Sequence, residues 1–513
     1  MRFSPLCVIR SSAGRLDVLA AIAAVASLMM LGCRPPPQSR PGPVAGVAEG
    51  CVIQPPPAES PNALSVALPG EIDPSHAPQP ENAAERVVFR HLYETLIRVD
   101  CGGRIRPGLA ESWHAREGGG GGRAWEFVLR KDARFWDGTP VTAAGVAAGW
   151  QSGAAGTRAR AAGLDSTDAE SDRRLVVYMD RPHRDVPRVF ADLGLAAARP
   201  SADSPWPRGT GPYAVEAYAT PAEGSTAVRT VNVSPLFQGA GPDIDFRAVS
   251  GAETRDLLED GVDVLLTADR AVIDYAATRP EFVDTALAWN RTYVLLSTTR
   301  VREVRGGGTA SDLPADLLDA IARDAVSGDA RGHRPPSWWD DLGSCSGVAR
   351  VLSGLPPVPR GAYRSGPRRI VYALGDPVAQ GLAERIVALA GAGPGSSAEA
   401  VAFAAAVPGL LGADARLLAQ GLRQEEFAAS LREGDDFAYV VAVPRQVLDP
   451  CFDISMLVSR AEWLAMDDQA GLASAIIPLV DTRQHLIARR GAVALAVDWD
   501  GTVLVAGAAV REK

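Results

Sequence analysis

Residues 85–142 read ERVVFRHLYETLIRVDCGGRIRPGLAESWHAREGGGGGRAWEFVLRKDARFWDGTPVT. Val88, Leu92 and Leu96 recur every four residues with Phe89 beside them, which predicts an amphipathic helix from Arg86 to Val99 with that row turned inward. The turn Cys101-Gly102-Gly103 follows it. Trp125, Phe127 and Leu129 then alternate with Glu126, Val128 and Arg130, the period of a strand with one buried face. Asp137-Gly138 reverses the chain, and Thr142 is placed to cap a helix carrying Val146 and Trp150. The five glycines at 118–122 lack the lysine of a phosphate-cradling loop and read as a loop tip.

Working outward, 513 residues exceed one hydrophobic core, and a prior of ~100–200 residues per domain gives two to four domains. Hydrophobic residues at 47% and charged residues at 22% fit a soluble globular protein. The net charge of −9, with no basic run interleaved with aromatics, argues against nucleic-acid binding. Further on, Leu175, Val177 and Met179 alternate as a strand, and Glu253 to Asp260 reads as a helix stopped by Gly261. Ile370 to Ala373 followed by Ala379 to Leu389 reads as a strand and a helix.

Four pieces in register are Ile72-Asp73-Pro74, Leu92-Tyr93-Glu94-Thr95-Leu96, Pro107-Gly108-Leu109-Ala110-Glu111-Ser112-Trp113 and Phe135-Trp136-Asp137-Gly138-Thr139-Pro140-Val141-Thr142. Together with Gly209-Thr210-Gly211-Pro212-Tyr213, they resemble the family 5 extracellular solute-binding proteins, the peptide- and nickel-type receptors of ABC importers. The resemblance extends over residues 64–513 and is denser before residue 265. It implies an α/β, two-lobed periplasmic-binding-protein-like fold (type II, large three-domain variant) with a hinge between the lobes. The expected division is a discontinuous first-lobe domain of residues 51–80, 206–286 and 476–513, an accessory domain of 81–205 and a second lobe of 287–475. Trp289 to Leu296 is expected to cross into the second lobe, and Ile476-Ile477-Pro478-Leu479 to return the chain to the first.

The N-terminus has the layout of an export signal over residues 1–32, with an apolar run from Val18 to Leu31 that is short for a membrane span. Met30-Leu31-Gly32-Cys33 resembles a bacterial lipobox, which implies acylation of Cys33 and a lipid-anchored protein of the cell envelope. Residues 33–50 are proline-rich and read as a semi-extended tether. Cys51, Cys101, Cys345 and Cys451 allow three pairings in an oxidising compartment; Cys51 with Cys101 and Cys345 with Cys451 are favoured, four free thiols being the alternative. No metal-knuckle spacing is present, and neither a metal nor a cofactor is expected.

In the peptide-binding members of the family, a second-lobe Asp preceded by a Trp pairs with the ligand's amino terminus. Counting back from Pro450 puts Gln446 and Val443 at those positions, so Arg445 and Gln446 are the candidate ligand contacts, favouring an anionic or neutral polar solute. Trp338 and Trp339 are candidates for an aromatic cleft wall, and Glu71 for a first-lobe contact. For Arg445 and Gln446 the alternatives are solvated loop residues or a one-residue slip, or Asp449 turned inward, that restores an acid; for Trp338 and Trp339 a plug over a core; and for Glu71 an ordinary exposed residue. His91 reads as a packed or exposed helix residue and Asp435-Asp436 as a turn.

The expected function is therefore that of a non-enzymatic, monomeric substrate-binding lipoprotein, which captures a peptide or other small polar solute between lobes and delivers it to an inner-membrane ABC permease. The alternative is a repurposed envelope sensor or interaction lipoprotein without transport. A hydrolase built on Cys345 in Gly343-Ser344-Cys345-Ser346-Gly347 is disfavoured, because Trp338 to Leu342 makes a poor strand before an elbow.

Overall fold

The computed structural model describes residues 51–54, 61–116, 123–151, 153–180, 186–219, 229–236, 241–249, 254–298, 330–331, 368–391, 417–444, 457–458, 460–461, 463–464 and 475–505. Within them, the first helix of the opening stretch runs Ala83–Leu92 rather than Arg86 to Val99. Asn82 caps it, its side chain accepting the Glu85 N–H at 3.0 Å. It stops at Leu92 because of what its last carbonyl meets: the Leu92 oxygen accepts the Gly211 N–H at 2.9 Å, the bond that Leu96 would have made in a longer helix. Thr210 Oγ1 takes the next free donor, Glu94 N–H, at 3.1 Å. Leu96 is still buried, but it belongs to another core, and Ile97–Val99 is a short strand paired with Ile105–Pro107.

Val87, Val88, Phe89 and Leu92 of this helix pack on a seven-stranded mixed sheet. At its centre, Ala63–Pro69 lies parallel to both Asp243–Val249 and Val264–Thr267. His485–Arg489 pairs antiparallel with Val264–Thr267, and Phe282–Ala286 with His485–Arg489. The helix was expected in the accessory domain with the rest of 81–205. Its apolar face assigns it to the first-lobe core instead, and the accessory core is gathered from Leu96 to Ala197 around the four-stranded sheet of Ala110–Ala115, Ala124–Leu129, Arg174–Met179 and Leu164–Ala169. There Phe127 and Leu129 are buried as their alternation predicts, and Glu126 is buried as well, opposite His114 and Arg174. Thr142 caps the Ala143–Gly149 helix by accepting the Gly145 N–H, and Trp150 Nε1 donates to the Leu195 carbonyl.

The second lobe is built on a six-stranded sheet with apolar clusters on both faces. Arg368–Ala373 runs parallel to Leu417–Leu422 and to Ala438–Pro444, while Arg291–Ser297 lies antiparallel between Ala438–Pro444 and Ile476–Thr482. Ile476–Thr482 was expected to begin the return to the first lobe. It stays in the second-lobe sheet, buried along its whole length because both faces of that sheet are covered, and the chain crosses back only at Arg483 and Gln484. The outward crossing is 287–290. The two crossings are tied by Leu287 N–H donating to the Gln484 carbonyl at 2.9 Å and by the Arg483 guanidinium lying 4.6 Å from the Trp289 ring centroid.

Two histidines hold the first lobe together in opposite charge states. His91, 2% exposed, joins the Val87 carbonyl at Nδ1 and receives the Val505 N–H at Nε2, and burial pushes its pKa down to about 4. His76 sits 2.7 Å from the buried Glu85, whose carboxylate also receives the Asp73 and Glu81 N–H groups. Burial pulls the His76 pKa down, but the Glu85 bond and charge, with Glu81 and Asp73, outweigh it and raise it to about 9. Cys51 and Cys101 form a disulfide that joins the strand Val52–Gln54 to the start of the accessory domain.

Two outcomes follow from these contacts. A Cβ on Gly211 would run into the His91 carbonyl oxygen and the Leu92 backbone, so Gly211→Ala should destabilise the protein by roughly 1–3 kcal/mol. Gly149→Ala, at an open helical position, should be neutral or stabilising by up to about 1 kcal/mol; chemical denaturation of the two variants checks the contrast. Because the folded pKa of His76 lies above its unfolded value, its contribution is complete below about pH 6.5 and is lost as pH rises through about 9. Stability measured from pH 6.5 to 9.5 should therefore fall by on the order of 2 kcal/mol more in the native chain than in His76→Gln.

Candidate functional site

The parallel strands of both lobes end on the same space. Pro69 and Gly70 close one strand of the first lobe, Val249 a second, and Leu266 with Thr267 a third; across from them lie Ala373 to Asp376 and Val440, Val441, Ala442 and Pro444 of the second lobe. Together with residues from the crossings and from the turn at 500–502, they enclose a cavity of about 380 Å³. Ligand sites of α/β sheets form at the carboxyl ends of strands, and this size lies at the lower end of small-molecule pockets. Leu374 is 46% exposed although apolar, and it faces this cavity.

The topology that brings strand ends here also brings helix beginnings. Asn82 and Ala83, Asp269, Asp376 with Pro377, and Gln424 line the cavity and open the helices Ala83–Leu92, Arg270–Ala277, Pro377–Gly391 and Gln424–Glu433. Asp269 Oδ1 accepts the Ala271 N–H at 2.9 Å. Asp376 Oδ1 accepts the Ala379 N–H at 3.0 Å, and both its oxygens accept from the Tyr293 hydroxyl at 2.8 and 2.9 Å. Burial, with the charge of Asp376, holds the Tyr293 phenol well above its usual range, so it remains a donor.

Three arginines reach the cavity, Arg86 from the first lobe, Arg291 from the crossing strand and Arg460 from the second lobe. Arg86 faces Asp500 at 3.6 Å, and Arg90 behind it faces Asp498 at 3.3 Å and Asp500 at 3.6 Å. Burial acts upward on both carboxyls. Asp500 is nevertheless carried below its ordinary value by Arg90 and Arg86, whereas Asp498, with Asp500's charge added, is pushed up. Asp500 is also held by its own turn, Oδ1 accepting the Thr502 N–H at 2.9 Å, and its carbonyl takes Asn290 Nδ2 from the outward crossing. Burial lowers the pKa of Arg460, with Glu81 and Glu85 opposing, and among the described residues no carboxylate lies within ion-pair distance of it.

Of the candidate residues read from sequence, Arg445, Gln446, Trp338, Trp339, Cys33, Cys345 and Cys451 lie outside the described residues. Pro444, the residue before Arg445, lines the cavity. Glu71 does not: its carbonyl accepts Asn82 Nδ2, which anchors the cap of the first helix, and its neighbour Gly70 forms the wall. Asp436 proves to be a buried partner of Arg369 and Ser430. Arg86, Arg460, Tyr293 and Asp376 were not anticipated. Only Arg86 had a sequence signal, its place beside Val87 and four residues before Arg90 on a capped helix.

Residues 104–231 match the description "Bacterial extracellular solute-binding proteins, family 5 Middle". The periplasmic oligopeptide-binding protein OppA of Escherichia coli K12 is 42% identical over 71 residues, 14% of this chain and 12% of that relative's length. Over the whole fold, the murein tripeptide binding protein MppA of Escherichia coli superposes with a TM-score of 0.58 at 13% identity, covering 88% of this chain and 99% of that one. The binding protein AgaA of A. tumefaciens R10, solved with agropinic acid, superposes with a TM-score of 0.57 at 16% identity, covering 84% and 94%. Residues 104–231 are thus similar to the middle region of the family 5 extracellular solute-binding proteins, and the chain shares its fold with binding proteins of that kind over most of its length.

Proposed function

We propose that the chain captures a small polar solute in the cleft between its lobes and delivers it, by docking in the closed form, to an ABC permease. The observation that carries this is the cavity itself, lined by strand ends of both sheets and, among the described residues, bridged by two short crossings, 287–290 and 483–484. Such an arrangement lets two rigid bodies close about a hinge and bury a ligand, and the closed shape reports occupancy. The matched relatives are binding proteins rather than enzymes, which supports a role in capture without covalent chemistry. Arg445 and Gln446, following Pro444 at the cavity wall, are proposed to extend the contact surface, and Cys33 to carry a lipid that holds the protein at the envelope.

A thermal-unfolding screen of the chain against di- and oligopeptides, metal–chelator complexes and small organic acids tests capture. A true ligand at a hundredfold excess over its Kd should add about 2.7 kcal/mol of stability and raise the midpoint. The same ligand should reduce the radius of gyration in solution scattering, as closure requires, and failure of every class to raise the midpoint would remove the capture reading. For the anchor, Cys33→Ser should move the protein from the membrane fraction to the soluble fraction on cell fractionation; unchanged partitioning would remove the lipid.

A further inference from the structure

Resting on the capture reading, we infer that the cleft selects an organic anion whose carboxylate is held between Arg86 of the first lobe and Arg460 of the second. The argument begins with which polar groups of the wall are already engaged. Asp269 and Asp376 cap helices, and Asp376 is further occupied by Tyr293. Asp500 is fixed by Thr502 N–H and faces two guanidiniums. Glu81 lies 3.8 Å from His76, beside the His76–Glu85 pair. Every acid on the wall among the described residues thus has a partner from its own lobe.

The arginines are in a different position. Among the described residues, Arg86 has one ion pair, at 3.6 Å, too long for a hydrogen bond, and shares that carboxylate with Arg90. Arg460 has no carboxylate within ion-pair distance among the described residues, and both line the cavity. A guanidinium removed from water without full hydrogen bonding is costly, and a carboxylate meeting its fork with two parallel bonds relieves that cost. The two helix beginnings on the wall that no Asp caps, at Ala83 and at Gln424, add partial positive charge of the same sign. Because one arginine comes from each lobe, an anion between them would bind both lobes at once, and its charge would favour closure. The rest of the wall, including Leu374, Phe427 and Val249, offers apolar contact to the ligand's body.

Matched pairs of probes decide it: gluconate against sorbitol, succinate against succinamide, and Ala-Phe against Ala-Phe amide, with inorganic phosphate as a separate arm, titrated calorimetrically into the full chain. The expected result is binding by a carboxylate, its neutral counterpart being weaker by about tenfold or more, and a similar loss in Arg460→Gln. Arg460→Gln should keep the unliganded melting midpoint, since among the described residues the side chain leaves no ion-pair partner behind; Arg86→Gln is the second variant and should weaken the same ligand. Affinity should also fall as salt rises. A neutral member binding as tightly as its acid, or Arg460→Gln binding as well as the native chain, overturns the anion site while leaving capture intact. Phosphate binding with every carboxylate silent overturns the carboxylate class. Silence across charged and neutral probes alike overturns both this inference and the capture reading beneath it.

Discussion

The molecule depends on a close approach of backbone to backbone where the Ala83–Leu92 helix ends. Gly209 and Gly211 lie so near the His91 and Leu92 carbonyls that neither position has room for a Cβ, and Gly108 meets the Thr95 carbonyl in the same way. Three distant parts of the chain converge there. Trp136 N–H donates to the Gly209 carbonyl, Arg130 joins Glu94 to the Gly108 carbonyl, and Leu109 and Ala110 donate to Thr95 and Leu96. The first-lobe core and the accessory core meet at this knot. Short glycine-bearing motifs that carry no chemistry thus determine how two domains sit against each other.

From that knot the position of the cleft follows by topology. Fixing the C-terminal end of the helix fixes its N-terminal end as well, and that end, with Asn82, Ala83 and Arg86, is the wall of the cavity. The same helix carries Arg90 to Asp498 and Asp500, and His91 to the Val505 N–H, so the C-terminal strands are bound to it by ion pairs and by a buried neutral imidazole. The turn at 498–502 in turn holds Asn290 of the outward crossing. Structural support and ligand wall are therefore two ends of one element, and a disturbance at Gly211 would reach Arg86 through a rigid helix.

Much of this was legible in the sequence, for reasons that differ by residue. Asp137-Gly138 and Thr142 were readable because turns and caps are local: Gly138 has φ of 81°, and Thr142 accepts from an N–H three residues on. The helix end was misread because Leu96 keeps the four-residue spacing, while the atom that stops the helix, Gly211 N, is remote in sequence. Ile476–Thr482 was assigned to the wrong lobe because its apolar run suits either sheet, and only pairing with Arg291–Ser297 settles which. The site was the least legible. Arg86 and Arg460 are ordinary letters in a chain with many arginines, and their shared cavity is a property of two lobes facing each other.

The net charge of −9 says little about the cavity, because acids that cap helices or hold arginines behind the wall present little field to it, their charge being matched within a few ångströms. On the anion reading, what a ligand would meet is the unmatched remainder, chiefly the guanidinium groups of Arg86 and Arg460. The lobes each fold with their own acids satisfied, so stability does not require the cleft to be neutral. On the proposed reading, the chain would then hold excess positive charge on the cleft wall at the cost of desolvating Arg86 and Arg460, and an anion bridging the lobes would recover that cost only when they close.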